Sequence, residues 1–171
     1  QQLKDNGVNV AWLGTPKGME NNLVASADIP LHHISVKGLR GAGIFRWFQS
    51  PFMLLIAFVQ SFNVIRVVKP DCILGMGGFI CGPAGIAAKM LGAPLLIHEQ
   101  NAVPGLTNKC LAKISVKVFE SFPNTFAKNV AAVFTGNPIR KEILEISSIE
   151  RKEPDNTEFR VLVLGGSQGA I

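Results

Sequence analysis

The run Ile97-His98-Glu99-Gln100-Asn101-Ala102-Val103-Pro104-Gly105-Leu106-Thr107-Asn108 packs an imidazole, a carboxylate and three side-chain amides between an apolar strand and a helix start. His98 and Glu99 could act as a proton-transfer pair or position the loop. Asn101 can donate and accept hydrogen bonds to a sugar or an amide, while Gln100 and Asn108 suit capping and bracing the turn. Each of these groups is costly to bury without a partner, and a substrate could be that partner. In an open α/β sheet such a turn lies at the carboxyl edge of the strands, where ligands bind.

Three glycine-bearing turns accompany it. Gly75-Met76-Gly77-Gly78 lies between an apolar strand and a helix start. Glycines there allow positive φ and let an anion approach the N–H groups at the helix end. The same turn would also suit close strand–helix packing with no ligand. A dinucleotide fingerprint needs a third glycine, yet Ile80 stands at that place. Glu99 lies at roughly the right distance for the fingerprint's acidic residue, so a nucleotide-cofactor Rossmann oxidoreductase is an alternative. Gly136-Asn137-Pro138-Ile139-Arg140 sets a proline near a helix start, and Arg140 carries a planar fork suited to diphosphate or carboxylate. Gly165-Gly166-Ser167-Gln168-Gly169 could cradle a phosphate with its hydroxyl and N–H groups, although no Gly-Lys-Ser/Thr makes it a P-loop.

These turns need a scaffold of parallel strands. Buried strands are predicted at 8–15, 72–76, 94–98, 116–120 and 130–135, with a weaker one at 31–36, separated by helix-length intervals. That alternation predicts an α/β fold: a Rossmann-like parallel sheet with helices on both faces. Residues 146–158 turn polar and aperiodic, a linker, and 159–164 open a second α/β unit. From Ile44 to Val68 the chain is apolar on more than one side of a helix, which suits deep burial or contact with lipid along one face. Gln49, Ser50, Pro51, Gln60, Ser61 and Asn63 interrupt it and argue against a span. Core burial accounts for at least half of these residues; Phe48, Phe52, Leu55 and Phe58 share one face, with Arg46 beside them.

Composition narrows the class. With 47% hydrophobic and 17% charged residues among 171, the chain is no disordered tail. The charge of +5 suits anionic lipid or phosphorylated ligands. The basic residues are scattered rather than interleaved with aromatics, which argues against nucleic acid. Three cysteines (Cys72, Cys81, Cys110) lack metal-ligand spacing, no metal site is expected, and Cys72 reads as a small core residue in a reduced, cytoplasmic protein.

Taken in order, the 71–83, 97–108, 135–140 and 160–170 stretches resemble the MurG family of GT-B glycosyltransferases over nearly the whole chain. The resemblance implies inverting transfer of N-acetylglucosamine from UDP-N-acetylglucosamine to the C4 hydroxyl of lipid I, giving lipid II for peptidoglycan. It implies an acceptor-binding domain at 1–145, the linker at 146–158, and the start of a donor-binding domain at 159–171. It assigns donor binding to Asn101, Arg140 and Ser167, and the acceptor's diphosphate to Gly75, Gly77 and Gly78. Its partners would be UDP-N-acetylglucosamine as donor substrate, undecaprenyl-diphosphate-linked N-acetylmuramoyl-pentapeptide, and an anionic membrane surface, with no separate cofactor. The protein would sit peripherally on the cytoplasmic face of the bacterial inner membrane through Phe48, Phe52, Leu55, Phe58 and Arg46, with Lys37, Arg40, Lys89 and Lys117 near lipid headgroups. The family's Gly-Gly-Thr-Gly-Gly-His loop, with its candidate base, would precede Gln1. The chain therefore reads as a fragment lacking both ends, expected to be inactive alone. A non-catalytic membrane-binding module is the third reading.

Overall fold

Continuous apolar runs separated by helix-length intervals give strands that can only run parallel, and parallel strands need helical cover. The computed structural model describes residues 2–18, 20–35 and 44–146, apart from the side chains of 44–50, 141, 142 and 146. Strands β1 (Trp12–Gly14) and β2 (Leu31–His33) pair in parallel. Strands β3 (Ile73–Gly75), β4 (Leu95–Glu99), β5 (Lys117–Glu120) and β6 (Val133–Phe134) form a second parallel sheet in that order. The helices are α1 (Gln2–Asp5), α2 (Glu20–Ser26), α3 (Ile44–Val68), α4 (Cys81–Met90), α5 (Leu106–Leu111) and α6 (Lys141–Ile146). The α/β class is as the sequence predicts.

The differences lie at strand ends. The predicted strand at 8–15 pairs only over β1, and Val8 and Trp12 are exposed rather than buried. The strand predicted from Val130 starts later, because Lys128–Val130 form a 3-10 turn and Ala131 takes a left-handed φ of 51°. Cys72 is not a core residue: it precedes β3, the outer strand of its sheet, and is exposed. The chain divides into two compact units after Asn137; α6 belongs to the second. The 147–158 part of the expected linker and the strand at 159–164 lie outside the described residues.

Two neighbouring apolar clusters, both touching Ile73, hold the larger sheet. Leu95, Ile97 and Leu111 are buried together, with Ile73, Cys81 and Ile114 against them. Ile65, Ala87 and Ala88 form a neighbouring cluster with Phe58, Phe62, Ile73, Leu91 and Ala93. Ala57, Ser61 and Ile65 recur every four residues along α3 and are buried, while Phe52, Leu55, Ile56 and Val59 are exposed. Small side chains on one face let α3 lie close to α4. Phe58 therefore does not share the outward face with Phe52 and Leu55: it packs inward, its ring 6.0 Å from that of Phe62. The side chains of Phe48 and Arg46, and all of Lys37 and Arg40, lie outside the described residues.

Close helix–strand packing falls on Gly85 of α4. A Cβ there would stand 2.6 Å from Leu111 Cδ2 and 3.2 Å from Leu95 Cδ2, both in the buried cluster. Gly85→Val should cost about 1–3 kcal/mol through overpacking, outweighing the better helix propensity, and urea unfolding measures it.

Candidate functional site

Each strand of the larger sheet ends in a turn that must satisfy its own polar groups, and these turns meet. After β3, Gly77 and Gly78 take φ of 86° and 81°, a conformation that side chains other than glycine resist. A Cβ on Gly77 would come 3.3 Å from Asn108 Nδ2, so the glycine turn lies against the following loop. The Cys81 thiol donates to the Gly77 carbonyl at 2.8 Å, and burial pushes its pKa up, keeping it a thiol.

Glu99 organises the turn after β4. Only 2% exposed, its Oε1 accepts the Asn101 N–H at 3.1 Å and Asn101 Nδ2 at 2.9 Å. Its Oε2 accepts the Gly105 N–H at 3.1 Å and Asn108 Nδ2 at 2.8 Å. Burial alone would raise its pKa, yet the bonds from Asn108, Asn101 and Gly105 outweigh it and hold the carboxyl below its ordinary range. Asn108 Nδ2 also reaches the His98 carbonyl at 3.3 Å, bracing the turn as its sequence position suggested.

His98, on the other face of β4, points elsewhere. Its Nε2 donates to the Gly136 carbonyl at 3.0 Å. Ser121, whose N–H binds the Glu99 carbonyl, donates its hydroxyl to Asn137 Oδ1 at 2.6 Å. Asn137 Nδ2 closes the ring on the Gln100 carbonyl at 3.2 Å. The turn after β6 is thus tied to the ends of β4 and β5. His98 Nδ1 and Asn108 Oδ1 are buried with no hydrogen-bond partner among the described residues.

His98 and Glu99 consequently do not form a proton-transfer pair: alternation along the strand separates them, and each is committed to a different loop. The oxidoreductase alternative weakens for the same reason, since both oxygens of Glu99 are taken by loop amides and none is left for a ribose hydroxyl. Asn101 is exposed at the rim of the site. Arg140 is exposed just before α6, in the second unit. Ser167 lies outside the described residues. Sequence reasoning missed Glu120, Ser121 and Asn137. Glu120 sits opposite Glu99 in register and accepts the N–H groups of Asn124 and Phe126, both at 3.1 Å. The signal was a second carboxylate at an apolar strand's carboxyl end.

A parallel sheet with a glycine turn and polar strand-end loops at the carboxyl ends of its strands is a Rossmann-like arrangement, in which ligands bind at that edge. Residues 1–120 match the Glycosyltransferase family 28 N-terminal domain, and the chain belongs to that family. It is 48% identical over 170 residues to the UDP-N-acetylglucosamine--N-acetylmuramyl-(pentapeptide) pyrophosphoryl-undecaprenol N-acetylglucosamine transferase of Azotobacter vinelandii, covering 99% of this chain and 47% of the relative. The transferase of the same name from Acinetobacter baylyi is 44% identical over 174 residues, covering 99% and 48%. The crystal structure of Acinetobacter baumannii MurG superposes with a TM-score of 0.64 at 43% identity, over 74% of this chain and 36% of that one. The expected MurG resemblance is borne out, and the chain spans about half the length of the curated relatives it matches.

Because the folded pKa of Glu99 lies below its ordinary value of 4.5, its contribution to stability is complete above that pH and is lost as pH falls through the lowered value. Glu99→Gln should be less stable than wild type at neutral pH and show a shallower loss in acid. Denaturant unfolding between neutrality and acid pH measures both.

Proposed function

We propose that this chain is the acceptor-binding part of an inverting glycosyltransferase. The enzyme would transfer N-acetylglucosamine from UDP-N-acetylglucosamine to the C4 hydroxyl of lipid I, forming lipid II. The observation that carries this reading is the joining of four strand-end turns at one edge of the sheet, in a chain 48% identical to transferases named for that chemistry. The N–H groups of the glycine turn before α4 suit the acceptor's diphosphate, with Gly75, Gly77 and Gly78 shaping the turn. Asn101 and Arg140 suit the donor, and Ser167 is carried here by resemblance alone. Inversion in one step needs a base for the acceptor hydroxyl and stabilisation of departing UDP. Helix N-termini and the Arg140 guanidinium can supply the second. UDP-N-acetylglucosamine enters as substrate, and no separate cofactor or nucleic-acid partner is proposed.

We also propose peripheral attachment to an anionic membrane, at the cytoplasmic face of the inner membrane, through the outward face of α3. Pro51–Val68 is apolar enough to span by length and composition, yet its buried Ala57, Ser61 and Ile65 commit one side to protein. Exposed Phe52, Leu55, Ile56 and Val59 remain for an in-plane contact, with exposed Arg66, Lys89 and Lys117 as candidate lipid contacts.

In a full-length transferase carrying this sequence, Arg140→Ala should lower kcat/KM for the donor by about 1.5–3 kcal/mol, the scale of a charge-assisted hydrogen bond. Steady-state kinetics with varied UDP-N-acetylglucosamine measures it; wild-type values would remove Arg140 from the donor site.

Changing Phe52, Leu55 and Val59 together to Ser should abolish sedimentation with anionic vesicles while leaving the unfolding midpoint close to wild type, since all three are exposed. Added salt should weaken wild-type binding if Arg46, Arg66 and their neighbours contribute. A folded triple variant that still pellets with vesicles rules out this face.

A further inference from the structure

Asn101 is the most exposed polar side chain of the 97–108 loop that is also anchored. Its Nδ2 lies 2.9 Å from Glu99 Oε1, and its backbone N–H lies 3.1 Å from the same oxygen. A carboxylate can only accept, so the amide nitrogen must face it and the amide oxygen must face away. Turning the amide over would set Asn101 Oδ1 against Glu99 Oε1, two acceptors at hydrogen-bond distance. Nothing else competes for that outward oxygen: Asn101 Oδ1 makes no hydrogen bond among the described residues, whereas its backbone carbonyl is contacted by Thr125 Oγ1 at 3.4 Å. Glu99 in turn is held by the Gly105 N–H and by Asn108 Nδ2, so it cannot swing to follow the amide.

We propose that Glu99 is a positioning residue whose carboxylate fixes the polarity of Asn101, so that Asn101 offers Oδ1 as an acceptor to an O–H or N–H group of the sugar nucleotide. An outward amide oxygen repels phosphate oxygens. Asn101 therefore reads the sugar or the base and not the diphosphate. This rests on the reading of Asn101 as a donor-substrate contact, and adds to it which atom does the reading and what sets it.

Kinetics on a full-length transferase carrying this sequence separates the two claims. Asn101→Ala and Glu99→Gln should each raise KM for UDP-N-acetylglucosamine roughly tenfold, the effect of losing one good hydrogen bond. The pH dependence of kcat should keep both limbs. The double variant should be no worse than Asn101→Ala, because Glu99 acts through Asn101. A silent Asn101→Ala would overturn the donor-contact reading itself. A strong Asn101→Ala with a silent Glu99→Gln would overturn only the polarity claim. Loss of kcat and of one pH limb in Glu99→Gln, persisting in the Asn101→Ala background, would make Glu99 an acid–base group and overturn the proposal. Should Glu99→Gln fail to fold, the side-chain amide resonances of Asn101 in the unaltered protein decide. The proton held by Glu99 should stay protected from exchange when UDP-N-acetylglucosamine is added; its loss would show that the amide has turned.

Discussion

A carboxylate buried at the end of a strand must be given donors, and the shape of this site follows from how Glu99 is given four. Two come from backbone N–H groups that would otherwise be unpaired in a tight turn, and two from side-chain amides. The loop thus satisfies the charge, and the charge satisfies the loop. Asn108, drawn in by the same carboxylate, lies against Gly77 and brings the neighbouring glycine turn into place. A side chain at Gly77 would need a φ that glycine alone adopts readily.

Strand β5 repeats the device one position across. Glu120 faces Glu99 in register and accepts two N–H groups of its own loop. The two carboxylates share no hydrogen-bond partner among the described residues; each takes N–H donors from the loop that follows its own strand. Between them, the ring through His98, Ser121, Asn137 and Gln100 ties the turn after β6 to the same edge. Polar side chains that look catalytic in a sequence are here mostly framework. Among the described residues, the framework leaves the outward oxygen of Asn101 and His98 Nδ1 without a hydrogen-bond partner.

The long helix α3 resolves a different tension. Its apolar residues exceed what one protein face can bury, and small residues every fourth position decide which side goes in. Ala57 and Ser61 admit α4 closely, and Ser61 returns its hydroxyl to the Ala57 carbonyl at 2.7 Å, so that no polar group is stranded. What remains outside is a continuous apolar strip, which water alone does not favour.

Much of the fold was written in the order of apolar runs and turns. All six strands of the described region occur where apolar runs and turns predict them, although only β4 is buried along nearly its whole length. The glycine turn and the cluster of polar groups after β4 were equally visible, as was the bracing role of Asn108. Strand ends, Cys72 and the inward turn of Phe58 were not, since they depend on which neighbour a strand or helix acquires. Nor could sequence separate acid–base chemistry from scaffolding at Glu99. A glutamate's role is set by the donors around it, and three of Glu99's four come from residues six and nine positions away or from a side-chain rotamer. Only the closed loop brings them to one carboxylate, and that closure is a property of the tertiary structure.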